Sequence, residues 1–160
     1  MQKIKVLFVC LGNICRSPTA EGLFIELVNK NELQDQILID SAGTCNNHIG
    51  ELPDSRMRKH ASARGYDLST HARQFQASDL KEFDYILAMD NSNYNNILSL
   101  DSDELYGEKV FMMCEFTSNR PEDEVPDPYW GGDEGFEQVI DILEEATEGL
   151  LERVRSDHQI

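Results

Sequence analysis

The apolar pattern of this 160-residue chain switches period several times. Ile4-Lys5-Val6-Leu7-Phe8-Val9 is a short, nearly continuous apolar run and reads as a buried strand. The stretch that follows, Pro18 to Val28, reads as a helix. Ser17 suits its N-cap and Pro18 its first turn. The alternation continues as strand 4–9, helix 17–30, strand 37–41, helix 54–65, strand 84–89, helix 91–100, strand 109–113 and helix 133–155. It predicts an α/β fold: a single domain over 1–160, with a four-stranded parallel sheet and helices on both faces. Gly65 marks a helix end, Asp90 caps the helix that begins near Asn91, and a short helical turn starts near Ser78. Residues 156–160 are expected to fray. There are no repeats, linkers or low-complexity segments.

One segment, residues 114–132, is long and irregular, and loops of that length are usually functional or disordered. Pro121, Pro126, Pro128, Gly131 and Gly132 give this one a shape. In an open parallel sheet, ligands bind beyond the carboxyl ends of the strands. The loop after the first strand lies there, and a loop entering the final helix from the fourth strand can lie there too.

The first of those loops carries the chemistry. Cys10-Leu11-Gly12-Asn13-Ile14-Cys15-Arg16-Ser17 joins a strand to a helix N-terminus. Backbone N–H groups of such a loop converge, and the helix adds partial positive charge, so the point suits a phosphate-like dianion. The same field favours the thiolate of Cys10, the nucleophilic form. The planar fork of Arg16 suits two oxyanions. Spacing alone is weak evidence, because Cys114 to Arg120 repeats it. That second copy has no glycine, carries Glu115 where an anion would bind, and has Pro121 where Ser17 stands in the first. Cys114 is read as an ordinary buried cysteine.

Val9-Cys10-Leu11-Gly12-Asn13-Ile14-Cys15-Arg16-Ser17-Pro18 resembles the phosphate-binding loop of the low-molecular-weight protein tyrosine phosphatases. Asp40-Ser41-Ala42-Gly43-Thr44 resembles the segment after that family's second strand, and Phe83 to Asp90 its third strand. Asp127-Pro128-Tyr129-Trp130-Gly131 resembles its general-acid loop. These matches run in the family's order from residue 4 to about residue 155.

The resemblance implies hydrolysis of phosphotyrosine through a cysteinyl-phosphate intermediate. Cys10 is then the nucleophile, Arg16 the phosphate clamp and Asp127 the general acid and base. Leu11, Gly12, Asn13, Ile14, Cys15 and Ser17 bind the phosphate, while Asn47, Tyr129 and Trp130 wall the substrate slot. Ser41 and Asp90 support them, with Ser41 hydrogen-bonded to Asn13 by analogy. Asn13 also tolerates the left-handed backbone of a tight loop, and the Ser17 hydroxyl suits donation to the thiolate. Asp127 must carry its proton to act, so activity should favour mildly acidic pH. Cys10 and Cys15 share one loop: either oxidation joins them or Cys15 packs beneath the loop. The resemblance implies a redox partner.

Two positions depart from the family. Many relatives have an aromatic residue where Asn47 aligns, and a histidine where Thr70 aligns, with His71 one place later. The histidine's loop-bracing role is therefore open. His48, His60 and His158 are read as ordinary surface or satisfied histidines.

The formal charge of −16 is uneven: residues 101–160 hold 18 acidic and 4 basic residues, a net −14. Nucleic-acid binding is disfavoured. The acidic half repels a phosphorylated substrate at long range, so capture falls to Arg16 and the loop amides. Arg56, Arg58, Lys59, Arg64 and Arg73 form a second basic group, a solvated face or a docking patch for acidic partners. No stretch approaches the roughly 20 apolar residues of a membrane span. Residues 1–9 fit a strand better than a secretory signal. Four cysteines without a paired framework suit a reducing compartment, so a cytoplasmic protein is expected. No metal or cofactor is expected, since no Cys/His cluster has ligand spacing. Expected partners are tyrosine-phosphorylated proteins, without nucleic acid or membrane, for a monomer or weak dimer. Two other readings stand: an arsenate reductase on the same fold, which needs a further pair of thiols, and a non-catalytic phosphotyrosine-binding module.

Overall fold

β1 (Ile4–Cys10) is a central strand, flanked by β2 (Ile37–Gly43) and β3 (Tyr85–Ala88), with β4 (Val110–Met112) beyond β3. All three pairings are parallel, and the computed structural model describes residues 2–160. Five helices connect or follow the strands: α1 (Arg16–Lys30), α2 (Ser55–Ala63), α3 (Ala77–Glu82), α4 (Asn91–Ser99) and α5 (Asp133–His158).

A parallel strand in the sheet centre is covered on both faces, which is why β1 is apolar apart from Lys5 near its start. The pleat divides its side chains between two cores. Val6 and Phe8 join Leu23 and Phe24 of α1 with Val139, Ile140 and Leu143 of α5. Leu7 and Val9 join Leu80, Phe83, Ile86 and Ile97 under α3 and α4. Phe8 and Phe24 meet edge to face at 5.6 Å, a favoured aromatic geometry.

Several expected boundaries shift. β2 continues past 41 to Gly43, because its register with β1 holds as far as the Cys10–Gly43 pair. The residue before the first turn of α1 is Cys15, not Ser17, which is buried inside that turn. α5 runs past 155 to His158. Its last turn is tied to β3, for the Tyr85 hydroxyl donates to Asp157 at 2.7 Å and lies 3.1 Å from His158 Nε2. Asp90 caps α4 as expected, accepting the Asn93 N–H at 2.8 Å.

The basic group is not one face. Arg64 binds Glu137, Asp141 and Glu144 of α5, and Arg73 binds Asp40 and Asp79. These two arginines join elements together. Arg56 pairs with Asp54 and lies over the Tyr129 ring.

α5 also crosses the turn Met113–Phe116 very closely. A Cβ at Gly149 would lie 2.0 Å from the Phe116 carbonyl oxygen. Helix propensity alone favours alanine there by ~1 kcal/mol. Forcing a methyl against backbone typically costs about 1–3 kcal/mol, occasionally more. Gly149→Ala is therefore expected to lose about 1–2 kcal/mol and about 2–8 °C in Tm. A variant melting above the wild type would show that the turn yields freely.

From β1 the chain goes first to β2 on one side and later to β3 on the other. The loop after β1 therefore opens at the point where strand order reverses, where a crevice forms.

Candidate active site

The loop is seated on the end of β2. The Thr44 and Cys45 N–H groups donate to the Cys10 and Leu11 carbonyls, both at 2.9 Å. A Cβ at Gly43 would lie 2.7 Å from the Leu11 oxygen, so this contact needs glycine. Asn13 takes the left-handed turn, with φ 58°. Its amide is fully used: Nδ2 donates to Ser17 Oγ at 2.8 Å and Ser41 Oγ at 2.9 Å, while Oδ1 accepts the Arg73 N–H at 3.0 Å. Ser17 Oγ in turn lies 3.0 Å from Cys10 Sγ. Because Ser17 accepts from Asn13, its own proton can go to the sulfur or to the more distant Ala42 carbonyl at 3.4 Å. The backbone N–H groups of residues 12–16 have no acceptor among the described residues. They remain available to an anion.

Arg16 is buried beside this loop. Nη1 donates to Asp90 Oδ2 at 2.6 Å and to the Val125 carbonyl at 3.0 Å. Burial opposes its charge, but Cys10, Asp90 and Asp127 outweigh that and hold its pKa above the usual arginine value. Asp90 therefore does two jobs: one oxygen caps α4 and the other orients the guanidinium.

Val125 explains how the distant loop arrives. Its side chain is fully buried, and its N–H donates to the Met89 carbonyl at 2.8 Å, at the end of β3. Two residues on, Asp127 Oδ2 lies 3.6 Å from Arg16 Nη2. Asp127 Oδ1 accepts the Tyr129 N–H at 3.1 Å, fixing the turn.

Cys10, Leu11, Gly12, Ile14, Cys15, Arg16, Asn47, Asp127, Tyr129 and Trp130 line one cleft of about 190 Å³. The structure thus brings ten of the expected site residues together. The side chains of Asn13 and Ser17 are buried behind the loop and hydrogen-bonded there, so only their backbones face the anion position. Ser41 and Asp90 also lie behind the cleft wall. Tyr129 is half-buried, whereas Trp130 is 91 % exposed at the mouth, its ring 4.9 Å from that of Tyr129.

Two further residues line the cleft, His48 and Cys45, and Arg56 stands behind one of its rings. His48, read as an ordinary histidine, lines the cleft with its ring 6.3 Å from Tyr129. It packs where a Gly12 side chain would be, 3.0 Å from that Cβ position. Cys45 lines the same wall. Arg56 lies over the Tyr129 ring at 5.3 Å and donates to the Tyr129 carbonyl at 3.2 Å, so it positions that ring. The signal for His48 was an aromatic ring beside Asn47, one place from the aligned wall position. His60 and His158 are satisfied: the former bonds Glu137 and stacks on Phe136, and the latter meets Tyr85.

Burial, then the charge of Asp54, pushes the Cys15 thiol well up, so it stays protonated. Burial pushes Cys114 up to about 11, with Glu122, Asp123 and Glu124 adding to it. The second cysteine–arginine spacing therefore builds no nucleophile. His71 is exposed and has no hydrogen bond among the described residues, while Thr70 lies near the buried Glu21.

Comparison with known proteins agrees with this geometry. A family model described as low molecular weight phosphotyrosine protein phosphatase matches residues 5–160. The protein of that name from Schizosaccharomyces pombe is 40% identical over 154 residues, covering 96% of this chain and 98% of the relative. The Homo sapiens protein of that name is 38% identical over 150 residues, covering 92% of this chain and 94% of the relative. A solved protein tyrosine phosphatase from Entamoeba histolytica superposes with a TM-score of 0.94 at 47% identity, covering 98% of this chain and 99% of that one.

Proposed function

The chain belongs to the low molecular weight phosphotyrosine protein phosphatase family, and from that premise we propose that it hydrolyses phosphotyrosine and small aryl phosphates through a cysteinyl-phosphate intermediate. The observation that carries this reading is the convergence of Cys10, Arg16 and Asp127 on one cleft, from a loop and a segment far apart in sequence. In the first step Cys10 Sγ, as thiolate, attacks phosphorus. The bond to the aryl oxygen breaks, and Asp127 gives its proton to that oxygen. In the second step water attacks the phosphocysteine, Asp127 takes a proton from it, and phosphate leaves. Arg16 and the free amides of residues 12–16 hold the equatorial oxygens throughout, which is the largest contribution to rate. Asp90 keeps Arg16 aimed, and the Ser17 hydroxyl serves the sulfur as attacking thiolate and as leaving group.

Tyr129, with the His48 ring beside it, and Trp130 line the cleft and offer an aromatic ring a surface to pack on, supporting phosphotyrosine over phosphoserine. Four free thiols support a reducing, cytoplasmic setting and tyrosine-phosphorylated proteins as partners. Turnover of p-nitrophenyl phosphate and a phosphotyrosine peptide, set against a phosphoserine peptide and arsenate reduction, tests the reading. Efficient hydrolysis of the first two supports it. Arsenate reduction without ester hydrolysis would replace it with the reductase, and binding without turnover with the non-catalytic module.

Cys15 shares the cleft with Cys10, and both are free thiols. Mild peroxide is expected to oxidise Cys10 to a sulfenic acid that Cys15 traps as a disulfide, reversible by dithiothreitol. In Cys15→Ala the inactivation should become largely irreversible. Full recovery of that variant would remove Cys15 from any protective role.

A further inference from the structure

The hydrogen bonds behind the loop do not end at Ser41. Asn13 gives one amide hydrogen to Ser17 and the other to Ser41, so Ser41 accepts there and must donate elsewhere. Its acceptor is Glu21 Oε1, at 2.6 Å. Glu21 stands on the inward face of α1, only 8 % exposed, and Thr70 lies near its carboxyl. The contacts form one line: Glu21, Ser41, Asn13, Ser17, Cys10. We propose, resting on the phosphatase reading above, that Glu21 is a positioning residue, which holds the nucleophile loop through Ser41 and Asn13 and fits that place best as the neutral acid.

The surroundings explain the preference for the neutral form. Burial raises the Glu21 carboxyl to about 7, and the nearby charge of Asp40 on β2 adds to it. The hydrogen bond from Ser41 and the nearness of the Thr70 side chain oppose the rise, as does the charge of Arg73. Arg73 is shared with Asp40 and with Asp79 of α3, so little of its charge is left for Glu21. Asp67 faces the same small cleft of about 260 Å³, which gives Glu21 a route to solvent protons. The sign follows from linkage. A carboxyl raised in the folded state contributes stability fully present below its ordinary value, and this is lost as pH rises through the raised one. Ionisation of Glu21 therefore loosens its own seat, and with it the hold on Ser41. The neutral acid keeps Oε1 as acceptor, and Glu21→Gln keeps that acceptor without the charge.

The test compares wild type, Glu21→Gln, Glu21→Ala and the double variant Glu21→Ala with Ser41→Ala. Two readouts are followed against pH: kcat on p-nitrophenyl phosphate, and alkylation of Cys10 by iodoacetate, located by peptide mapping. Glu21→Ala is expected to lower kcat about tenfold and slow Cys10 alkylation, because a misplaced loop costs rate directly. Adding Ser41→Ala should cost little more, since both act on one line. Glu21→Gln should recover most of the loss, and its kcat relative to wild type should rise as pH passes through neutrality, on top of the decline both share through Asp127. An alanine variant that melts earlier yet alkylates and turns over like wild type would reduce Glu21 to a structural role and overturn the proposal. So would a Gln-to-wild-type ratio constant from mildly acidic to mildly alkaline pH, a comparison that stands even if the alanine variant fails to fold. The alkylation readout needs no turnover. Failure of the phosphatase reading, a wild type that hydrolyses no aryl phosphate, is thus seen separately.

Discussion

Cys10→Ser is expected to abolish hydrolysis of p-nitrophenyl phosphate, by more than ~10⁴-fold in kcat, while inorganic phosphate and vanadate still bind. The serine hydroxyl is a weak nucleophile, and Asp127 is needed as the acid in that step. Arg16 and the amides of residues 12–16 are untouched by the change, so the anion cradle survives. Cys114→Ser should be nearly silent, for Cys114 lies outside the cleft in the turn Met113–Phe116. The pair of variants separates the loop from its repeated spacing. Turnover near the wild-type rate in Cys10→Ser would place the nucleophile elsewhere.

Asp127→Ala should lose about 10²–10⁴-fold, the usual worth of a general acid, and the loss should depend on the leaving group. Phenyl phosphate releases a basic oxygen, close in character to that of tyrosine, and needs the proton. p-Nitrophenolate leaves without it. The former should therefore lose far more in phosphocysteine formation. This dependence matters because Asp127 has two further contacts: Arg16 Nη2 at 3.6 Å and the Tyr129 N–H at 3.1 Å. Loss of those contacts would slow both esters alike. Equal losses would mean that Asp127 only shapes the loop.

The sheet was legible because β1 and β3 are buried on both faces and carry no polar side to obscure them. The Cys10–Ser17 loop was legible because its residues are adjacent in sequence. What pairs across elements was not. Glu21 sits within a helical pattern where an acid reads as solvated, and only packing of β2 and the Thr70 segment buries it. Ser17 has the chemistry of a cap, yet its hydroxyl turns to Cys10, since Asn13 holds it from the other side. His48 lies in an aperiodic loop, where one residue of offset decides which side chain faces the cleft. Arg64 and Arg73 look like free charge until α5 and Asp79 are seen beside them. For Asp127, sequence gave the residue, and buried Val125 supplied the reason it reaches Arg16.

The central claim is a phosphoryl group carried on Cys10, and rapid acid quench of wild-type enzyme turning over a labelled aryl phosphate tests it most directly. Peptide mapping should find the phosphoryl group on the Cys10 peptide, and no label should form in Cys10→Ser. Steady hydrolysis with the label on another residue, or a burst of released phenol with no label on Cys10, would contradict the account.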